Sequence, residues 1–493
     1  FCAGLLLLGV VMIKRVPKPI WGGILVATWV ASTPTAPVLP TIQSPIHTHD
    51  IVVITMDTVR EDALSSSPRA LIPDLTPSLD ALAKSGCRVD QASSTSPLTG
   101  PSHAAMFSGL HPIELGLFKN GGVLPSNIPW LPEELYEQGY QTAAFVSSAM
   151  LDGDLGYRRG FGIYDDDQTG LTPQQRSALA PLFPKPRIAK SDAFSRFGLK
   201  TIRKMDQWLA ASDPERPVFV WLHLYDAHRP YVATKASRDF VQDATIDLPP
   251  PEAFSQWKER PETPASSSFT RTMFQSLQNL DTDGQDSAEP NALPKAYLAG
   301  VRDLDGLIRT AWERLNKHRS HSERVWAILS DHGESLTEHG ELGSHQFHVY
   351  EANIRVPFLL SSGDCPQVPI STINLGHTLL DRVQLPIEWE RHTEVEATVK
   401  VGKNAPSQPS TTKVSKRMGD QKMVTAVGLD DTYHTEHYDL ANDRHELNPL
   451  QGSSDTVQRF LHSVKPRLAA SVEVTAADDS VTQALRALGY LDE

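Results

Sequence analysis

The chain has 493 residues and carries 46 Lys and Arg against 59 Asp and Glu, a net charge of −13. That length can bury a large core and favours one large domain with a smaller one, while that charge disfavours a nucleic-acid partner. Its three cysteines, Cys2, Cys87 and Cys365, form neither a disulfide framework nor a metal-binding spacing.

The N-terminal 40 residues read as membrane-anchor segments. Phe1 to Ile13 is a mostly apolar run, Lys14, Arg15 and Lys18 follow, and Ile20 to Pro40 is a second uncharged run with Trp21 and Trp29 placed as interfacial anchors. The basic cluster would stay cytoplasmic, which puts everything beyond Pro40 outside the cytoplasm, in a periplasmic or extracellular setting. A signal peptide, with Lys14–Lys18 as its basic region and Ile24–Val30 as its apolar region, leads to the same side. Residues 41–49 are a linker.

Folded structure is expected from Asp50. Ile51 to Met56 is a continuous β-branched run, the pattern of a strand buried on both faces. Asp57 follows at its carboxyl end, where open α/β sheets place their sites. Thr76–Ser85 has a helix cap and helical spacing. Leu131–Gln138 reads as a helix, Thr142–Val146 as a strand, Lys200–Ala211 as a helix and Val218–Leu224 as a buried strand. Residues 234–294 are rich in Pro, Ser, Asp and Gln and read as a surface insertion, mobile in part. Ala296–Lys317 is a long amphipathic helix and Val325–Leu329 a further buried strand, ending in Ser330-Asp331-His332-Gly333-Glu334. Strands alternating with helices predict an α/β fold, a mixed, mostly parallel central sheet with helices on both faces. A smaller C-terminal α+β subdomain is expected over 371–493. Within it, Gly402–Pro409 reads as a linker, and Lys413–Gly428 and Tyr433–Leu440 as antiparallel strands.

Chemistry concentrates in Thr95 to Gly109, TSPLTGPSHAAMFSG. Pro101 suits a first helical turn, because its missing N–H is not needed there. That aims the Thr99 hydroxyl at a helix N-terminus, whose free N–H groups favour an anion. Three strand ends add ligand-type residues: Asp57, Asp226 with His228, and Asp331 with His332. Carboxylates and imidazoles at neighbouring strand ends can converge on one divalent cation. A cation on the Thr99 oxygen would make it a competent nucleophile toward a tetrahedral oxyanion ester. His103, Arg60, His228 and His345 are placed to hold the remaining oxygens or to protonate a leaving group.

Several ordered motifs resemble the sulfatase family, within the alkaline-phosphatase-like superfamily. They are IVVITMDTVREDAL, TPSLDALAKSGCRVDQASSTSPLTGPSHAAMFSGLHP, HLYDAHRPY, SDHGESLTEHG, HQFHVYEANIRVPFLL, KRMGDQKMV, HYDLANDRHELNPL and LRALGYLD. The resemblance covers nearly everything from Asp50 onward, with 50–370 as the catalytic domain. It implies that Asp57, Asp331 and His332 bind a metal with Thr99, that Thr99 is the nucleophile, that His103 takes the basic position four residues on, and that His228 and His345 are catalytic. His223 and Asp226 lie nearby and match less well.

The chain departs from the pattern at the nucleophile. The family uses Cys, sometimes Ser, in Cys-x-Pro-x-Arg, oxidised to formylglycine. Here the position is Thr99, a secondary alcohol that cannot become an aldehyde, and the Arg position is His103. A threonine ester must be cleaved by water or passed to a second alcohol, chemistry that resembles phosphoesterases and phospho-headgroup transferases. The expectation is therefore a metal-dependent hydrolase of sulfate or, on chemistry, phosphate or phosphonate esters, borne by small molecules, glycans or lipids. Its cofactor would be Ca²⁺, Mn²⁺ or Zn²⁺. The alternatives are a membrane-bound headgroup transferase and a catalytically inactive binding protein. A second metal near Asp226, His228 and His345 is left open.

Overall fold

In the computed structural model, residues 49–167, 195–250, 253, 292–320, 323–340, 343–361, 363–401, 411–428, 433–450 and 454–471 are described. The expected anchor, the Gly402–Pro409 linker and LRALGYLD lie outside them.

The strands are β1 (His49–Met56), β2 (Cys87–Arg88), β3 (Ala92–Ser93), β4 (Gln141–Phe145), β5 (Ile163–Asp165), β6 (Val218–Leu224), β7 (Glu323–Ser330), β8 (Arg355–Val356), β9 (Phe358–Leu360), β10 (Ile370–Ser371), β11 (Val395–Val401), β12 (Thr411–Met418), β13 (Gln421–Gly428) and β14 (Tyr433–Asp439). Helices of seven or more residues are α1 (Pro77–Ser85), α2 (Thr99–Ser108), α3 (Leu131–Glu137), α4 (Gly198–Ala211), α5 (Lys235–Gln242), α6 (Ala292–His318), α7 (Leu375–Arg382) and α8 (Ser454–Ala470).

The central sheet has the order β2-β9-β7-β1-β6-β4-β5. The five strands from β7 to β5 run parallel, and β9 and β2 close one side antiparallel. The apolar run of β1 is explained by burial on both faces. Val52, Ile54 and Met56 join one core with Leu79 of α1, Met205 of α4 and Leu304 of α6. Ile51 and Val53 join the other with Phe107 of α2, Leu135 of α3 and Leu379 of α7. Successive side chains of a strand point to opposite faces, so a three-layer fold needs no polar alternation. Each such side chain is worth about 1.5–3 kcal/mol when fully buried. The fold is thus the expected mixed, mostly parallel α/β sheet with helices on both faces.

Helix α2 is buried along its whole length, so no polar stripe marks it. It begins at Thr99 itself, with Leu98 as the capping residue, and ends at Gly109 at φ 69°.

The described ends of the 234–294 stretch carry helices, and residues 251–291 of the expected surface insertion, 253 apart, lie outside the described residues. Residues 235–242 form α5, whose start is capped by the Thr234 hydroxyl accepting from Ser237 N and whose Val241 is buried. Asp303 of α6 accepts from the hydroxyls of Thr234 and Ser237, which ties α5 to α6. Val241 is its one core residue, and the polar ties to Asp303 supply the rest of the attachment. Helix α6 starts at Ala292, four residues before the expected Ala296.

Cys87 on β2 is disulfide-bonded to Cys365, with the Cα atoms 5.6 Å apart. Their separation of 278 positions hides this pairing from any local cysteine spacing.

β11 to β14 form a separate antiparallel sheet. It is pinned to the loop before α2 by Thr398 N donating to Thr95 O at 2.8 Å. Helix α8 buries Phe460 and Val464 against Ile113, Phe118 and Met423. A charged clasp joins the two parts: Lys422 on β13 lies 3.0 Å from Glu351 and 2.8 Å from Glu446, and Arg417 on β12 lies 3.0 Å from Glu351.

Candidate functional site

Three adjacent parallel strands, β7, β1 and β6, end on one side of the sheet. Their carboxyl ends deliver Asp331-His332, Asp57 and His223. Helix α2 brings the Thr99 hydroxyl to the same point. Asp57, His103, His223, Asp331 and His332 are fully buried and Thr99 nearly so.

His332 Nδ1 lies 3.0 Å from Gly333 O. A carbonyl only accepts, so Nδ1 carries the proton and Nε2 keeps its lone pair. That lone pair faces Thr99 Oγ1 at 3.4 Å, Asp331 Oδ2 at 3.6 Å and Asp57 Oδ1 at 3.8 Å. Asp331 Oδ1 accepts from the backbone N–H groups of His332 and Thr58. Its Oδ2, and both oxygens of Asp57, have no hydrogen-bond partner among the described residues.

The electrostatics follow from this. Burial pushes the Asp57 carboxyl up to about 7, only partly offset by His332. Burial, then the charge of Asp57, raises Asp331. Orphaned carboxylate oxygens in a dry interior are costly, and a lone pair facing carboxylates is repulsive. A divalent cation removes both penalties. Ligand atoms of Asp57, Asp331 and His332 all lie within 4.8 Å of one another, so these residues fit one.

Gly100, the residue after Thr99, is held at both its N–H and its carbonyl. Asn120 Oδ1 accepts from Gly100 N at 2.8 Å, and the Tyr157 hydroxyl donates to Gly100 O at 2.9 Å. A Cβ at position 100 would meet those two side-chain oxygens at 3.1 and 3.0 Å, so any larger residue presses on both. Neither Asn120 nor Tyr157 is legible in the sequence, since an Asn before two glycines reads as a turn.

His103 is fully engaged. Its Nδ1 donates to Thr99 O at 2.8 Å, and its Nε2 lies 3.0 Å from Thr55 Oγ1, which in turn accepts from Trp221 Nε1. Burial lowers His103 to about 3, with Asp331 opposing. Arg60 is likewise occupied, paired through two nitrogens with Asp62 and through the third with Glu338.

His345 and His228 form the wall beyond His332. The His332 and His345 ring centroids are 4.3 Å apart, and those of His345 and His228 are 5.2 Å apart. His345 Nδ1 faces Glu334 at 3.3 Å, and His228 Nδ1 donates to Arg229 O at 2.7 Å. Burial drives both imidazoles well below their usual range. Asp226 stands apart, its two oxygens accepting from Gly198 N at the start of α4.

A hydroxyl at a helix N-terminus, beside unpaired carboxylates and imidazoles, is an arrangement able to attack an ester. The chain belongs to the sulfatase family: residues 49–385 match the family model "Sulfatase". It is 25% identical over 373 residues to the choline-sulfatase of Rhizobium meliloti (strain 1021), covering 69% of each chain. It is 36% identical over 343 residues to an ulvan-active sulfatase of Formosa agariphila, covering 65% of this chain and 60% of that one. The chain thus spans between 60 and 69% of these relatives' lengths. Its fold matches that of the phosphonate monoester hydrolase of Agrobacterium radiobacter with a TM-score of 0.60 at 17% identity, over 85% of this chain and 95% of the other.

Proposed function

We propose that this sulfatase-family hydrolase acts on phosphate or phosphonate esters, with Thr99 as an unmodified nucleophile. The observation that carries the reading is the position of Thr99 Oγ1, at the first residue of α2 and 3.4 Å from His332 Nε2. Asp57, Asp331 and His332, with Thr99, would hold a divalent cation. Once bound, that cation supplies a lowered hydroxyl pKa and charge neutralisation on the ester oxygens. Its mixed nitrogen and oxygen donors suit Mn²⁺ or Zn²⁺ as well as Ca²⁺.

The chain's own groups do the rest. Thr99 Oγ attacks the central atom, the bond to the leaving oxygen breaks, and water later cleaves the threonine ester. The positive end of the α2 dipole favours the anionic ester. His345 and His228 are the residues placed to give the leaving oxygen its proton. Threonine cannot yield formylglycine, and this supports phosphorus over sulfur chemistry. The intact set of Asp57, Thr99, Asp331 and His332 supports a hydrolase over an inactive binding protein.

We also place the domain outside the cytoplasm, anchored by the N-terminal segment. The Cys87–Cys365 disulfide supports an oxidising compartment. Among the described residues no helix is long and apolar enough to cross a membrane.

The test is turnover of a matched aryl phosphate and aryl sulfate by purified protein with Mn²⁺, Zn²⁺ or Ca²⁺, using Thr99→Ala as blank. Phosphate turnover lost in the variant supports the reading. Sulfate turnover alone overturns the substrate assignment, and equal turnover by the variant overturns the nucleophile.

A further inference from the structure

The group that departs with the leaving oxygen needs a place, and the histidine wall leads to one. His332, His345 and His228 are the first three rings of a ladder whose fourth is Tyr225. The Tyr225 ring lies on that of His228, with centroids 4.2 Å apart and planes at 19°. Beyond the ladder is a cavity of about 100 Å³, whose wall includes His228, Tyr225, Phe197, Pro230 and Val232. It sits at the same edge of the sheet as Thr99. Helix α4, capped by Phe197, leads from β4 into the parallel strand β6, so it begins at the carboxyl ends of the strands.

The wall of this cavity is apolar where it meets solvent. Phe197 is 58% exposed and Val232 55% exposed. Large apolar side chains scattered singly over a surface need no explanation, but two on the wall of one cavity mark a place for an apolar ligand. The charged groups of the wall are already engaged. Arg196 donates to Asp165, to Val146 O and to Thr201 Oγ1. Both oxygens of Asp226 accept from Gly198 N at 3.0 Å, and His228 Nδ1 donates to Arg229 O. A sugar is held by several directional hydrogen bonds, and the charged side chains that could make them are committed within the fold. The Asp226 carboxyl also opposes any ligand that brings a further negative charge.

We infer that this cavity receives the leaving group and selects an uncharged, apolar alcohol, with Phe197, Tyr225 and Val232 setting the preference. A flat ring suits the aromatic walls of Phe197 and Tyr225. The inference rests on the proposal that His345 and His228 face the leaving oxygen.

The test is binding, read by calorimetric titration of the Zn²⁺-loaded protein with anions that cannot be hydrolysed. Benzylphosphonate and ethylphosphonate share one head and differ in their apolar group. Phenylmethanesulfonate and ethanesulfonate are their sulfur counterparts. Which pair binds reports on phosphorus against sulfur and leaves the cavity a separate question. In the pair that binds, the benzyl member should bind at least about tenfold more tightly, since a ring buries more apolar surface than a methyl group. Phe197→Ser and Val232→Ser, both at exposed positions, should narrow that ratio to about threefold or less. Equal affinity within the binding pair, or a ratio that the variants leave intact, overturns the leaving-group site. Binding by neither pair overturns it as well. A trimethylammonioethyl group on the same head that binds more tightly than benzyl overturns the apolar preference, because Phe197, Tyr225 and Asp226 would then be holding a cation.

Discussion

Thr99 Oγ1 and His332 Nε2 stand 3.4 Å apart although 233 positions separate them in the chain. One comes from the N-terminus of α2, the other from the carboxyl end of β7. The imidazole is fixed by the Gly333 carbonyl, so the pair shares a single orientation. Thr99→Ala should therefore lower kcat/KM by at least roughly 10³-fold, while Thr99→Ser keeps measurable turnover. Initial rates on the better substrate of the matched pair check this.

Metal uptake should depend on pH through Asp57. Its buried carboxyl sits at about 7, against an ordinary 3.8. A cation binds the ionised form, so below pH 7 affinity should rise up to tenfold per pH unit, and level off above. The metal-free protein should show the opposite slope. A raised folded pKa favours folding while the group is protonated, so that contribution is lost as pH climbs from about 4 to about 7. Calorimetric titration with Zn²⁺ and thermal melts with and without it, in Asp57→Asn and the parent, test both signs.

The hydrogen bond from Tyr157 to Gly100 O holds the Gly100–Pro101 peptide plane, one residue beyond Thr99. Tyr157→Phe keeps the ring and removes the bond, at a cost of about 1 kcal/mol in stability. Its larger effect should be on kcat, with KM nearly unchanged, because the ester's binding groups are untouched. A steady-state comparison that finds KM raised and kcat intact would remove Tyr157 from the positioning of Thr99.

Lys422 is fully buried between Glu351 and Glu446. Its charge, with those of Arg417 and Arg355, holds the Glu351 carboxyl well below its usual range. Lys422→Met takes from buried Glu446 the cation at 2.8 Å, leaves Glu351 to Arg417 and Arg355, and should destabilise the fold by about 3–5 kcal/mol. Urea unfolding at neutral pH measures it.

The Cys87–Cys365 bond ties β2 to the segment after β9. Cys87→Ser should cost about 2–4 kcal/mol. A reductant should lower the melting temperature of the parent by the same amount and leave the variant unmoved. If the reductant shifts both equally, the bond is not the cause.

The large parallel elements were legible because burial on both faces leaves one unbroken signal, as in Ile51–Met56 and Val218–Leu224. Thr99, Asp57, Asp331 and His332 were legible because each ends a strand or starts a helix. Helix α2 was marked in the sequence by Pro101 in its first turn and not by any polar stripe, since its ten residues are all buried. Helix α5 was missed because it commits only Val241 to the core and is otherwise tied down by polar groups, Thr234 and Ser237 on Asp303. Asn120 and Tyr157 depend on contacts across distant segments. So does the pairing of Cys87 with Cys365.

The hydrogen bond between Thr398 and Thr95 has a bearing on how the protein is made. Thr95 lies four residues before the nucleophile, yet its partner is synthesised some three hundred residues later, roughly the last fifth of the chain. During translation the nucleophile loop leaves the ribosome long before the strand that pins it. A chain cut short by a premature stop would carry every reacting group and lack the support that sets their positions. The C-terminal sheet thus acts as a completeness check, tying competence to a finished polypeptide.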